Sequence, residues 1–117
     1  LKFLLSLGLP ALMSCGFVHA ADKGDPLYAR YACQQGALNQ LKAPGQAKFD
    51  PLDTAAAFPA KDKKWAGMTD VWDATGWVDS QVRFGGTVIR SEYRCTVQKT
   101  RDGRWTVLEL HWTQGKP

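Results

Sequence analysis

The stretch RSEYRCTVQKTRDGRWTVLELHW, Arg90 to Trp112, constrains the fold more than any other part of the chain. Asp102-Gly103 separates two runs of alternating apolar and polar residues, and this dipeptide is favoured in two-residue hairpin loops because both positions tolerate positive φ. With these two residues as the loop, Arg101 faces Arg104 and opposed residues sum to 205. Val97 then meets Leu108, Cys95 meets Leu110 and Tyr93 meets Trp112 on one face. On the other face Gln98 meets Val107, Thr96 meets Glu109 and Arg94 meets His111. The side-chain period of two thus separates an apolar face carrying Cys95 and Trp112 from a mostly polar face carrying Trp105.

What Cys95 pairs with depends on the beginning of the chain, LKFLLSLGLPALMSCGFVHAADKGD. Lys2 precedes an apolar run from Phe3 to about Val18, broken by Pro10 and Ser14, and a charged segment follows at once. That pattern fits a secretory leader better than a membrane span. Two processing sites compete. VHA before Ala21 puts small residues where a signal peptidase reads them, whereas LMSC resembles a lipobox whose Cys15 would be acylated. The expectation is a signal peptide over 1–20, a single domain over 21–117, and a periplasmic or secreted location. An outer-membrane lipoprotein is the alternative, with membrane attachment only through a lipid on Cys15. Of the chain's 117 residues and net charge of +4, the leader takes the first 20 residues and one cation, Lys2.

With Cys15 removed or acylated, Cys33 and Cys95 remain as a pair in an oxidising compartment. The rival reading is two reactive or metal-binding thiols, and no second Cys or His lies near either one in sequence. They stand 62 positions apart (95 against 33), and closing a loop of that size is worth about 4 kcal/mol in the chain-entropy picture.

Upstream, DPLYARYACQQGALNQLKAPG opens with Asp25 as a helix N-cap and Pro26 at the first helical position. Leu27, Tyr31, Leu38 and Leu41 recur at helical spacing and predict the buried face, flanked by Cys33 and Ala37. Gln34 falls inside this stripe, Gly36 weakens its middle, and APG stops the helix. The segment between Phe49 and Trp65 reads as a short edge strand or a loop, with KDKK as a solvated turn. TDVWDATGWVDS suits a strand with Trp72 and Trp77 on opposite faces, and Gly76 marks a bulge or the close approach of another element. The fold class that follows is α+β: one N-terminal helix packed on an antiparallel sheet of three or four strands, stapled by a helix-to-strand disulfide.

Sites for chemistry are few. The only histidine beyond the leader is His111, and the register sets it beside Arg94, a cation that opposes imidazolium formation. A zinc site lacks ligands. Asp70, Asp73 and Asp79 lie near Trp65, Trp72 and Trp77, which superficially resembles a sugar platform with paired carboxylates. A domain this small offers such a platform little cleft. Arg90, Glu92 and Arg94 alternate along one strand face, as in a solvated, cross-paired sheet surface. The net charge is spread along the chain and is no nucleic-acid footprint. The place to look for a binding site is the turn after the first long strand, where Asp79, Gln81, Arg83 and Phe84 crowd a Gly-rich connection beside Arg90.

These pieces resemble a recurrent small domain of bacterial exported proteins and lipoproteins. In it a cysteine-bearing helix ends in L-K-x-P and is followed by A-K-F, G-[YW]-V-D, an N-x-F-G turn and an R-S-x-Y-x-C strand. Here they read LKAPGQAKF (Leu41–Phe49), GWVDSQ (Gly76–Gln81), RFGG (Arg83–Gly86) and RSEYRC (Arg90–Cys95). Val82 stands where that pattern tends to have Asn. The resemblance implies the helix-plus-sheet fold and the Cys33–Cys95 bridge, and it carries no activity with it. The expectation is a non-catalytic binding or structural module of the bacterial envelope, without cofactor or metal. Its partner would be an envelope protein or a cell-wall glycan, not nucleic acid. An inhibitor or immunity-type protein blocking a periplasmic or secreted enzyme, and a glycan- or peptidoglycan-associated domain, are the alternatives.

Overall fold

The computed structural model describes residues 24–52, 56–82 and 85–117. The expected leader and both of its candidate processing sites lie outside the described residues. Helix α1 (Asp25–Leu38) is followed by two short strands, β1 (Lys48–Phe49) and β2 (Ala56–Pro59), and by three long ones, β3 (Val71–Gln81), β4 (Val88–Lys99) and β5 (Trp105–Gln114). All pairings are antiparallel, in the order β1-β3-β4-β5, with β2 also on β3. The α+β architecture is as expected, and the sheet has five strands instead of three or four because two short strands, β1 and β2, add to the three long ones. Both pair with the same edge of β3, β2 along Trp72–Thr75 and β1 along Val78–Asp79. Just past β1, the Asp50 amide donates to the Trp77 carbonyl (3.2 Å).

The disulfide joins Cys33 in mid-helix to Cys95 in mid-β4, with the two Cα atoms 5.8 Å apart. Both cysteines are buried, and the core gathers around them from Ala29, Ala37, Trp72, Ala74, Tyr93 and Val97. The helix therefore packs through a face other than the one its large apolar residues mark. Ala29, Cys33 and Ala37 recur every four residues and form the contact stripe, while Leu27 and Tyr31 are about half exposed (46% and 51%). Small side chains let the helix axis come close enough for the sulfur bridge; a Leu/Tyr face would hold it off. Leu41, beyond the helix end, is buried as expected. Asp25 is the first helical residue and Gly24 the cap, so Asp25 does not cap through its side chain. Its carboxylate is buried and pairs instead with Lys99 at the end of β4 (3.2 Å).

The β4–β5 hairpin corrects the two-residue loop. Gly103, at φ +84°, is the third residue of a three-residue loop: its amide donates to the Thr100 carbonyl (2.9 Å) and the Thr100 amide to the Arg104 carbonyl (2.7 Å). A type I turn followed by a left-handed glycine is the usual form of such a loop. Near the turn Lys99 thus pairs with Trp105 and Val97 with Val107. A bulge then absorbs Leu108, and the expected register holds from Thr96↔Glu109 to Tyr93↔Trp112. The one-residue offset moves Trp105 and Val107 from the polar face to the helix face, where Trp105 packs on the core. Val107 lies against Gly36, whose missing side chain makes the room.

Candidate functional site

Of the turn-side residues expected to form a site, Asp79, Gln81 and Arg90 make contacts that tie the strands and the turn together. Asp79 and Arg90 are direct cross-strand partners and form a two-pronged ion pair, Nε–Oδ1 at 2.7 Å and Nη2–Oδ2 at 2.9 Å. Those hydrogen bonds hold the Asp79 carboxyl below the usual carboxylate range. The Arg90 guanidinium also lies over Trp77, its Cζ 3.6 Å from the ring centroid, a cation–π contact that uses the same side chain twice. Gln81 Oε1 accepts from the Gly85 amide (3.0 Å) and closes the turn. Arg83 and Phe84 lie outside the described residues. His111 faces Arg94, as the register required, and is exposed, 3.3 Å from Glu109. Trp72 is buried on the helix side and Trp77 lies on the opposite face of the same strand, so these two share no surface, whereas Trp65 and Trp72 line a cleft together with Asp70.

A different constellation forms beside β3, between its pairings with β1 and β2. Arg30 comes from the helix and Asp50 from the segment after β1, and their side chains make a buried ion pair. Gln34 Nε2 donates to the Asp50 carbonyl (2.9 Å), tying the same segment to the helix. Across the sheet Tyr93 is paired with Gly76, and its hydroxyl reaches back over the glycine. A β-carbon on Gly76 would lie 2.7 Å from Tyr93 Oη and 3.1 Å from Asp50 Oδ1. Gly76 is thus the close approach its position in a strand suggested.

Within this constellation three buried polar atoms have no hydrogen-bond partner: Arg30 Nε, Asp50 Oδ1 and Tyr93 Oη. Buried polar groups are ordinarily satisfied, and each orphan costs about 1–3 kcal/mol. Burial, reinforced by the Asp50 carboxylate and opposed by Arg30, pushes the Tyr93 phenol far above its usual range, so it stays protonated. Arg30, Asp50, Gly76 and Tyr93 form the inner wall of a cleft of about 530 Å³, within the ~300–1,000 Å³ typical of small-molecule sites. Thr75, Trp77, Glu92, Arg94 and Thr113 also line it.

Polar side chains of both charges converge on the cleft. Among the described residues, no three His, Cys, Asp or Glu side chains gather as metal ligands, and no helix is long and apolar enough to cross a membrane.

Only part of this site is signalled along the chain. Gln34 in an otherwise apolar stripe and Gly76 in a strand were visible irregularities, but nothing in the spacing links Arg30 to Asp50. No protein-family model, no curated protein and no solved structure matches the chain, so the cleft stands on its own chemistry.

Proposed function

We propose that this protein is a non-catalytic binding module of the bacterial envelope, and that the cleft over Gly76 is its binding site. The observation that carries this reading is a polar cleft of about 530 Å³ with three unpartnered polar atoms, Arg30 Nε, Asp50 Oδ1 and Tyr93 Oη, buried behind its wall. A fold that invests in a buried Arg–Asp pair without completing its hydrogen bonds accepts a cost that a ligand can offset. The Cys33–Cys95 disulfide is compatible with an exported protein. The resemblance to small exported domains and lipoproteins supports the same location.

The test is native mass spectrometry of the full-length protein isolated from envelope fractions, beside a Gly76→Ala variant whose new methyl group crowds the cleft. A bound small molecule carried by the parent protein and absent from the variant supports the reading. A parent protein that carries nothing, or the same adduct on both, overturns it. Turnover of any substrate, lost on a single polar substitution in the cleft, would sink the non-catalytic part alone.

A further inference from the structure

Strand β5 ends the sheet on one side, since among the described residues it pairs with β4 alone. The other side ends in two short strands, β1 and β2, which leave little edge to pair with. Which groups of β5 face outward follows from β4, which keeps one register against β3 over residues 88–98. The Lys99 amide donates toward β3, to the Asp70 carbonyl (3.0 Å), and the Thr100 amide toward β5, to the Arg104 carbonyl (2.7 Å). Each strand residue turns its N–H and C=O to one side and the next residue turns them to the other. The even-numbered residues of β4 therefore bond to β5. Thr96 bonds Glu109 and Arg94 bonds His111, which directs the N–H and C=O of Leu110 and Trp112 off the edge. Register shifts between Thr96 and Val97 and between Glu92 and Tyr93 bound this regular window of β5 at residues 109–112.

We propose that a second copy of this chain adds its own β5 to this edge, antiparallel, with the two-fold axis at His111. Identical strands related by such an axis pair residues whose numbers have an even sum, because side chains that meet must share a face. A sum of 222 sets Leu110 opposite the second copy's Trp112, twice over, so the outward residues of both copies exchange hydrogen bonds inside their regular windows. A sum of 220 sets Trp112 against Leu108, at the first register shift, and 224 sets Leu110 against Gln114, past the second. A sum of 218 sets Glu109 on Glu109, two like charges. The 222 register also joins Leu110 and Trp112, both only partly buried on the helix face, into apolar pairs across the junction. His111, exposed on the other face, meets its own copy, and a neutral imidazole offers one hydrogen-bond donor and one acceptor.

Sedimentation equilibrium of the full-length protein between about 10 and about 500 µM tests for the dimer, a range suited to a small interface. The dimer fraction is expected to rise with concentration, and a monomer throughout overturns the inference. Single cysteines then read the register under mild oxidation. Facing residues of a non-hydrogen-bonded pair have Cα atoms about 4.5 Å apart, within disulfide reach. In the 222 register His111→Cys meets itself, whereas Glu109→Cys or Thr113→Cys stands about 13 Å along the strand from its copy. His111→Cys should give about tenfold more reducible covalent dimer than either of the others. Equal yields from all three, or a lead for another position, overturn the inference. His111→Lys places two cations at the axis and should weaken association about tenfold, with the melting temperature at low concentration unchanged because the side chain is exposed. Dimerisation of His111→Lys as strong as the parent's shows that the copies meet elsewhere and overturns it as well.

Discussion

A methyl group of Val107 stands 2.9 Å from the point where a β-carbon on Gly36 would be. Gly in a helix interior costs about 1 kcal/mol relative to Ala, so intrinsic propensity alone favours Gly36→Ala. Here the new methyl would press on a β-branched side chain with little freedom to yield. Gly36→Ala is expected to destabilise the protein by about 1 kcal/mol. The same change in a Val107→Ala background should be neutral or stabilising. Chemical denaturation of the two single variants and the double variant checks this; additive effects would show that the contact does not set the sign.

The disulfide closes a 62-residue separation and sits inside the core. Replacing both cysteines by alanine should cost about 4 kcal/mol on the chain-entropy model, a large share of the ~5–15 kcal/mol typical of a whole domain. The double variant should unfold at a much lower denaturant concentration than the oxidised parent. A shift under a quarter of that size would mean that the helix and sheet are held mainly by packing.

The buried Arg30–Asp50 pair gives a non-additive prediction of its own. Removing one partner strands a charge where burial is nearly complete, so Arg30→Met alone and Asp50→Leu alone should each cost about 3–5 kcal/mol. The double variant should cost less than either single one, because it leaves no stranded charge. Urea unfolding of all four proteins measures the coupling, and a double variant as damaged as the sum of the singles would contradict it.

The architecture was legible wherever sequence pattern and packing agree. The disulfide, the helix, the long strands and the Thr96–Tyr93 half of the hairpin follow from cysteine count, alternation and turn chemistry. Two departures share a physical cause: local sequence signals carry no information about the distance between layers. Leu27 and Tyr31 look like a core stripe on any hydrophobicity scale, yet the short reach of a disulfide selects the small-residue face through Ala29, Cys33 and Ala37. Asp-Gly suits loops of two residues or of three, and the bulge at Leu108 that compensates for the longer one has no sequence signature of its own. The cleft was hidden for a third reason. Arg30 and Asp50 are ordinary surface residue types, and only the fold brings them together and buries them.

Acid should expose the contribution of the Asp79–Arg90 pair. Arg90's two hydrogen bonds hold the folded-state carboxyl of Asp79 below its ordinary value. A carboxyl whose pKa is lowered by folding adds stability above its unfolded pKa of ~3.9 and loses that contribution as pH falls through the lower folded value. The melting temperature of the parent protein should therefore fall more steeply than that of Asp79→Asn once pH drops below about 4, and the two curves should converge in strong acid. The pair is partly exposed, with Arg90 at 52% and Asp79 at 25% side-chain exposure, so added salt should narrow the gap at neutral pH. Asp102 and Glu109 are also held low by their hydrogen bonds, from Thr100 and Arg104 and from Lys64 respectively. Some acid sensitivity must therefore survive in Asp79→Asn, and only the difference between the curves reports on the pair. Parallel curves from pH 7 to pH 2 would show that the ion pair contributes no more to the fold than the neutral amide, and that the stacking of Arg90 on Trp77 alone fixes that corner of the sheet.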